Sequence, residues 1–371
     1  VSARLTVVQL LPALESGGVE RSTLEIAQAL VAAGHRAIVV SAGGRLVPRL
    51  RDSGAEHVAL DIGRKSLLTL RHVRTLRALL QRERVDIVHA RSRLPAWIGW
   101  LALRGLPAQS RPHWVTTVHG LNSPSRYSAV MASGERVICV SDTVREYVLR
   151  HYPDTPRGHL RVIPRGIDPR AFARVPGVDA QARAWAGAQH PALRGEAPVL
   201  LLPGRGTRLK GHGDALTLLA DLKAAGCEAC LWLPGAREAG REAYIAELEA
   251  EAAGLGVADR VAFTPPTDAI ARAYAASALV LQLSRKPEAF GRTVVEALGV
   301  GRPVLGWAHG GVGELLRTLQ PEGAVPPFER DALRATAQRL LTHPPSPPVT
   351  MPHTLLAMQE ATLAVYAELV H

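Results

Sequence analysis

Short apolar runs alternate with amphipathic helical stretches along this chain, and the alternation occurs twice. In the first pass, residues 5–11 are an apolar run, residues 20–33 read as a helix closed by Gly34, and residues 36–41 are a second apolar run. Helices over 71–84 and 95–103 flank a strand at 85–89, and strands follow at 114–118, 137–140 and 162–168. Ser141 stands where it caps a further helix. In the second pass, strands at 199–202, 229–233, 261–263, 279–283 and 303–306 alternate with helices at 213–225, 241–253 and 293–299. Strands apolar on both faces belong to parallel sheets covered by helices above and below. The pattern predicts an α/β chain of two Rossmann-like doubly wound domains facing a cleft. The first spans 1–172, a linker rich in Ala, Pro and Arg spans 173–197, and the second spans 198–350. Five prolines within 343–352 break the chain before a last helix in 351–371, expected to pack back across the domains.

No apolar run approaches 18 residues, so no membrane-spanning helix is expected, and residues 1–11 read as a strand rather than a leader. Three cysteines suit a reducing, cytoplasmic setting. Charge is uneven. Residues 1–172 hold 25 Lys and Arg against 13 Asp and Glu, whereas the remainder holds 19 against 20. An anionic partner of the front half is implied: a membrane surface, a phosphorylated substrate or nucleic acid. Aromatic residues at 4% are too few for the stacking platforms that bind single-stranded nucleic acid. Arg71, Arg74 and Arg77 recur every three residues opposite Leu70, Val73, Leu76, Leu79 and Leu80, with Lys65 just before. Such a helix reads equally as a membrane-surface contact or as a sheet cover with a solvated basic face.

Five strand ends carry polar chemistry. After 279–283 comes Lys286-Pro287-Glu288-Ala289-Phe290-Gly291-Arg292-Thr293, a loop opening a helix whose first N–H groups suit phosphate. Glu296, about one turn into that helix, offers paired acceptors to ribose hydroxyls. After 199–202 comes Gly204-Arg205-Gly206-Thr207-Arg208-Leu209-Lys210-Gly211, whose Arg205 and Lys210 would offset the charge of a departing diphosphate. Gly17 and Gly18 follow the first strand, and His119-Gly120 follows the strand at 114–118. His89-Ala90-Arg91-Ser92-Arg93 also ends a strand and is expected to project and hold an anionic acceptor. Rival phosphate motifs fail: a dinucleotide fingerprint needs Gly at Leu209, a P-loop needs Ser or Thr after Lys210, and the second strand ends in Ser41 rather than an acid. No Asp-x-Asp pair occurs, and Cys227-Glu228-Ala229-Cys230 lacks the second pair of a structural zinc site, so neither metal nor cofactor is expected.

The segment from Glu288 to Glu296 resembles the family 4 retaining glycosyltransferases, whose hallmark is Glu-x-Phe-Gly followed by four residues and Glu; Glu288, Phe290, Gly291 and Glu296 match it. The Gly17-Gly18 turn, the His at 119, Arg205 with Lys210, and Gly310-Gly311-Val312-Gly313-Glu314 agree with the same family. The resemblance implies the glycosyltransferase B-type fold and metal-independent transfer from a nucleoside-diphosphate sugar, first of all a UDP-sugar. It implies that Glu288 and His119 hold the donor sugar and Glu296 the ribose. Gly17, Gly18, Arg205, Lys210, Phe290, Gly291, Arg292 and Thr293 complete the donor site. Ala289, Pro265, Ser277 and Arg165 depart from residues common in the family, and Pro265 with Ser277 leaves the nucleotide base open. The front-half motifs look like those of bacterial transferases that build lipopolysaccharide or related surface glycans, so an anionic glycan or glycolipid acceptor is expected. A sugar-nucleotide epimerase and a non-catalytic polyanion binder are the alternatives.

Overall fold

The computed structural model describes residues 4–15 and 17–370, so Val1–Ala3 of the expected first strand and Ser16 of the glycine turn lie outside it. The chain forms two compact units: a front unit running to Pro164 and resumed from Leu355, and a back unit, Arg165–Thr354.

In the front unit, β1 (Thr6–Leu10), β2 (Arg36–Ser41), β3 (Glu56–Ala59), β4 (Ile87–Ala90), β5 (His113–Val118), β6 (Arg136–Cys139) and β7 (Leu160–Val162) form one sheet in the order β3-β2-β1-β4-β5-β6-β7. Every pairing is parallel; β1 meets β4 in the register Val7↔Ile87 to Leu10↔Ala90. Parallel neighbours require a crossover between consecutive strands, and the helices Gly18–Ala32, His72–Arg82 and Arg93–Arg104 supply three of them. Leu76, Leu79 and Leu80 form the buried stripe of the second of these.

The back unit holds β8 (Val199–Leu201), β9 (Cys230–Pro234), β10 (Val261–Thr264), β11 (Leu279–Gln282), β12 (Val304–Trp307) and β13 (Ala324–Val325), all parallel, in the order β10-β9-β8-β11-β12-β13. This is the Rossmann strand order, with its reversal between β8 and β11. Cys139 and Cys230 are buried, Cys227 is half-buried, and all three are free thiols. Burial pushes the Cys139 thiol up to about 12, which leaves it unreactive at neutral pH.

Three expectations about organisation need correction. The 173–197 linker contains a helix, Ala180–Gln189, whose first turn is capped by the Asp179 carboxylate accepting from Ala182 N–H at 2.6 Å. That helix packs on the helix Ile270–Ala276 and belongs to the back unit, with the Arg272 guanidinium over the Trp185 ring at 5.0 Å. The strand expected at 162–168 ends at Val162, because Pro164 has no N–H to continue the ladder, and the units divide there rather than at 172. The last helix, Leu355–Val370, belongs to the front unit: Met358, Val365 and Tyr366 are buried in its core, and Gln359 Nε2 donates to Glu25 O at 2.7 Å.

Tyr366 is buried, and its hydroxyl shares a 2.6 Å hydrogen bond with His89 Nδ1. Replacing Tyr366 with Phe leaves that nitrogen without this partner in an apolar surround. The expected cost is about 1–3 kcal/mol, read as a melting temperature several degrees lower. An unchanged melting temperature would mean that the hydroxyl contributes nothing.

Candidate functional site

At the reversal of the back sheet, the loops that follow β8 and β11 leave adjacent strand ends, where open α/β sheets bind ligands. Lys210 from the first loop and Glu288 from the second meet, Nζ to Oε1, at 2.7 Å. Ser284 Oγ donates to the same carboxylate oxygen at 2.5 Å, and Gln282 Nε2 donates to Oε2 at 3.2 Å. Burial pushes the Glu288 carboxyl upward, but the charge and hydrogen bond of Lys210, with Ser284 and Gln282, outweigh it and hold the group below its ordinary range. Glu288 is therefore a carboxylate at neutral pH, with a quarter of its side chain exposed.

The loops are pressed together tightly enough to dictate glycine. Gly211 has φ 78°, and a Cβ there would lie 2.0 Å from Leu283 O. Gly291, at φ 106°, caps the helix Arg292–Val300, whose first N–H groups open beside the Glu288 loop. Gly311 N–H donates to Glu288 O at 2.8 Å and fixes that loop from the side of the next helix. Phe290 is buried with its ring edge-on to His353 at 5.9 Å, and Thr293 is half-buried. Arg205 is exposed and forms no ion pair among the described residues. Glu296 is buried; its Oε2 accepts from the Tyr274 hydroxyl at 2.9 Å, and its Oε1 lies 3.7 Å from Arg292 Nε. Gln282, Ser284 and Tyr274 are the site residues that sequence reasoning missed. A Gln ending an otherwise apolar strand was the available signal.

In the front unit, the sheet reverses between β1 and β4. Gly17 and Gly18 are exposed at the start of the helix Gly18–Ala32, but Gly17 N–H already donates to the Glu20 carboxylate. His119 follows β5 and is half-buried. The expected projection of His89, Arg91 and Arg93 holds only for the last. His89 is fully buried, sharing hydrogen bonds at 2.6 Å with both Tyr366 and Thr117, because the last helix closes over it. Arg91 is also buried, donating to Gln9 Oε1 at 2.9 Å and to Ser22 Oγ at 2.6 Å. Burial pushes its guanidinium down to about 10, still protonated at neutral pH. It ties the end of β4 to the first turns of the helix after the glycine turn, a structural office. Arg93 remains half-exposed, over the Tyr127 ring at 5.4 Å.

The basic helix also needs revision. Lys65, Arg71 and Arg74 are exposed, but Arg77 donates to the carbonyls of Ala102 and Leu101 at 3.1 and 3.2 Å. It satisfies the last turn of the neighbouring helix and is not a free surface charge.

Two Rossmann-like units on parallel sheets are the architecture of the B-type glycosyltransferases. A crystal structure of a Rickettsia africae glycosyltransferase superposes with a TM-score of 0.86 at 24% identity, covering 99% of each chain. Anabaena HepE in complex with UDP gives 0.76 at 19% identity, covering 98% of this chain and 97% of the other. The model of glycosyltransferase family 4 matches residues 16–171, and that of glycosyl transferases group 1 matches residues 187–350. The chain belongs to the family 4 glycosyltransferases. A D-inositol 3-phosphate glycosyltransferase of Geodermatophilus obscurus is 30% identical over 286 residues, 68% of this chain and 60% of the relative. The chain thus matches less than two thirds of that relative's length.

The Lys210–Glu288 pair has a pH signature. A carboxyl held low in the folded state contributes stability above its unfolded value and loses it as pH falls through the folded one. Lys210→Met removes the cation and leaves only Ser284 and Gln282 to offset burial, so this carboxyl contributes less stability as pH rises. Urea midpoints measured from acid to neutral pH are expected to fall most for the variant at neutral pH and to converge with the parent in acid. Parallel curves would show that the pair does not set the Glu288 charge.

Proposed function

We propose that this protein transfers a sugar from a nucleoside-diphosphate sugar, a UDP-sugar, to an anionic acceptor with retention of anomeric configuration and without a metal ion. The observation that carries the reading is the Lys210–Glu288 pair, a cation and a carboxylate brought together from adjacent strand ends at 2.7 Å. A donor diphosphate draws Lys210 away, with Arg205 as a second cation, and frees the Glu288 oxygens for the vicinal hydroxyls of the sugar. The bond from the anomeric carbon to the diphosphate oxygen breaks, and the acceptor oxygen bonds to that carbon on the same face. The acceptor proton passes to the departing diphosphate. Lys210, Arg205 and the N–H groups of Arg292 and Thr293 offset the charge that develops.

Glu296 takes the ribose hydroxyls beside Tyr274, and Phe290 with Gly291 shapes the turn that precedes it. His119, Gly17 and Gly18 are assigned the donor contacts that the family makes with a His and a Gly-Gly turn at these places. The name of the inositol-phosphate relative specifies a phosphorylated acceptor, and the net charge of +12 over residues 1–172 suits one. A lipopolysaccharide core or related surface glycan is the acceptor proposed, with Arg93 as one contact. The protein would then work in the cytoplasm, at the anionic inner face of the membrane. No described helix is long and apolar enough to cross a membrane.

A thermal-shift screen across UDP-, GDP- and ADP-sugars, followed by nucleoside diphosphate release, tests the donor. Glu288→Gln and Lys210→Ala are each expected to lower turnover about a hundredfold, with folding retained. Near-normal turnover in either variant removes the proposed donor site. Chelator is expected to leave turnover intact, and full loss restored by magnesium or manganese overturns the metal-free mechanism. Conversion of donor to an isomer without acceptor would make the enzyme an epimerase.

A further inference from the structure

Ten large hydrophobic side chains are exposed among the described residues, and three of them lie within four positions: Leu67 at 87%, Leu68 at 71% and Leu70 at 51%. They occupy the tight turn Leu67–Arg71 that runs directly into the helix His72–Arg82. The turn is held rather than loose. Ser66 Oγ accepts from Leu68 N–H at 3.2 Å, and buried Thr69 donates its hydroxyl to Arg64 O at 2.6 Å, which aims the leucines outward. From residue 62 to residue 82 the sequence has six Lys and Arg and no acid. Arg64, Lys65, Arg71 and Arg74 are exposed there and form no ion pair among the described residues.

We infer that this leucine turn penetrates an anionic lipid bilayer, with Lys65, Arg71 and Arg74 held at the phosphate level. The inference rests on the membrane-surface reading above and replaces a contact by charge alone with apolar insertion at a different place. Charge complementarity selects the occupant. A bilayer presents negative headgroups outside hydrocarbon, the arrangement that an apolar tip ringed by cations fits. A second copy of the chain docking through the same patch would set these cations against themselves, because a two-fold contact is self-complementary. Arg77 takes no part, since its guanidinium is spent on the carbonyls of Ala102 and Leu101.

The test uses the full chain with vesicles of phosphatidylcholine alone or with an equal share of phosphatidylglycerol. Sedimentation with the anionic vesicles is expected to keep a salt-resistant fraction, and Leu67→Ser, Leu68→Ser and Leu70→Ser together are expected to weaken binding at least tenfold and abolish that fraction. All three side chains are exposed, so the triple variant should melt with the parent. Leu68→Trp in the wild-type background is expected to shift its emission to the blue on binding and to be quenched by lipids brominated along the acyl chain. Binding without blue shift or quenching overturns insertion and leaves contact by charge alone. No binding to anionic vesicles at low salt overturns insertion together with the membrane-surface reading. A dimer in sedimentation velocity that the triple variant loses would give the patch to a second copy and overturn the inference. The thermal shift produced by UDP is measured alongside, so that failure of the donor reading is seen separately from failure of the membrane one.

Discussion

Parallel pairing is the constraint from which the rest of this molecule follows. Two parallel neighbours cannot be joined by a tight turn, so the chain must return across a sheet face between consecutive strands. Those returns cover both faces, which is why the strands inside each sheet are buried along nearly their whole length. They also bring every strand's carboxyl end to one edge of its sheet. Where the order reverses, β1 beside β4 and β8 beside β11, consecutive crossovers depart to opposite sides and leave the loops between them uncovered. Lys210 and Glu288, 78 positions apart in sequence, meet at one such reversal because they follow neighbouring strands.

The two reversals are furnished differently. At β8 and β11 the polar groups are gathered but not exhausted: Glu288 has three donors and partial exposure, and Arg205 stands exposed. At β1 and β4 they are consumed by the fold. Arg91 is fixed between Gln9 and Ser22, His89 between Tyr366 and Thr117, and the Gly17 N–H by Glu20. A buried guanidinium is costly to strip of its acceptors, and the two that Arg91 has, Gln9 and Ser22, stiffen the strand end next to the glycine turn. The back reversal is therefore chemically available in a way that the front one is not.

Legibility in the sequence followed the range of the interactions. The strands and their parallel pairing were readable because apolar runs bounded by glycine report local structure and burial together. Glu288, Lys210 and Glu296 were readable because a motif carries their spacing. The helix Ala180–Gln189 was not, because it buries only Ala182 and Ala186 and shows little apolar contrast around its axis. His89 looked like a projecting strand-end residue; what buries it lies 277 positions away. Arg77 matched its basic neighbours in spacing, yet a neighbouring helix's last carbonyls lie within its reach, a fact of packing rather than of pattern. Spacing groups Leu70 with the apolar stripe of the basic helix, and only the geometry separates exposed Leu67, Leu68 and Leu70 from the buried stripe that follows.

The last helix has a consequence for the order of assembly. Leu355–Val370 completes the front core, so the back unit is an insertion in the middle of the front one, entered at Arg165 and left at Thr354. During synthesis the whole back unit is made before the segment that finishes the front. Until then His89 lacks Tyr366, and Leu24, Ile26 and Leu30 lack the helix that joins their cluster. The contacts of greatest sequence separation are thus the ones that close the front core, and such closures are slow. A ribosome-bound chain would carry a finished back unit beside an unfinished front one, and its exposed apolar seam would be the natural place for a chaperone to hold.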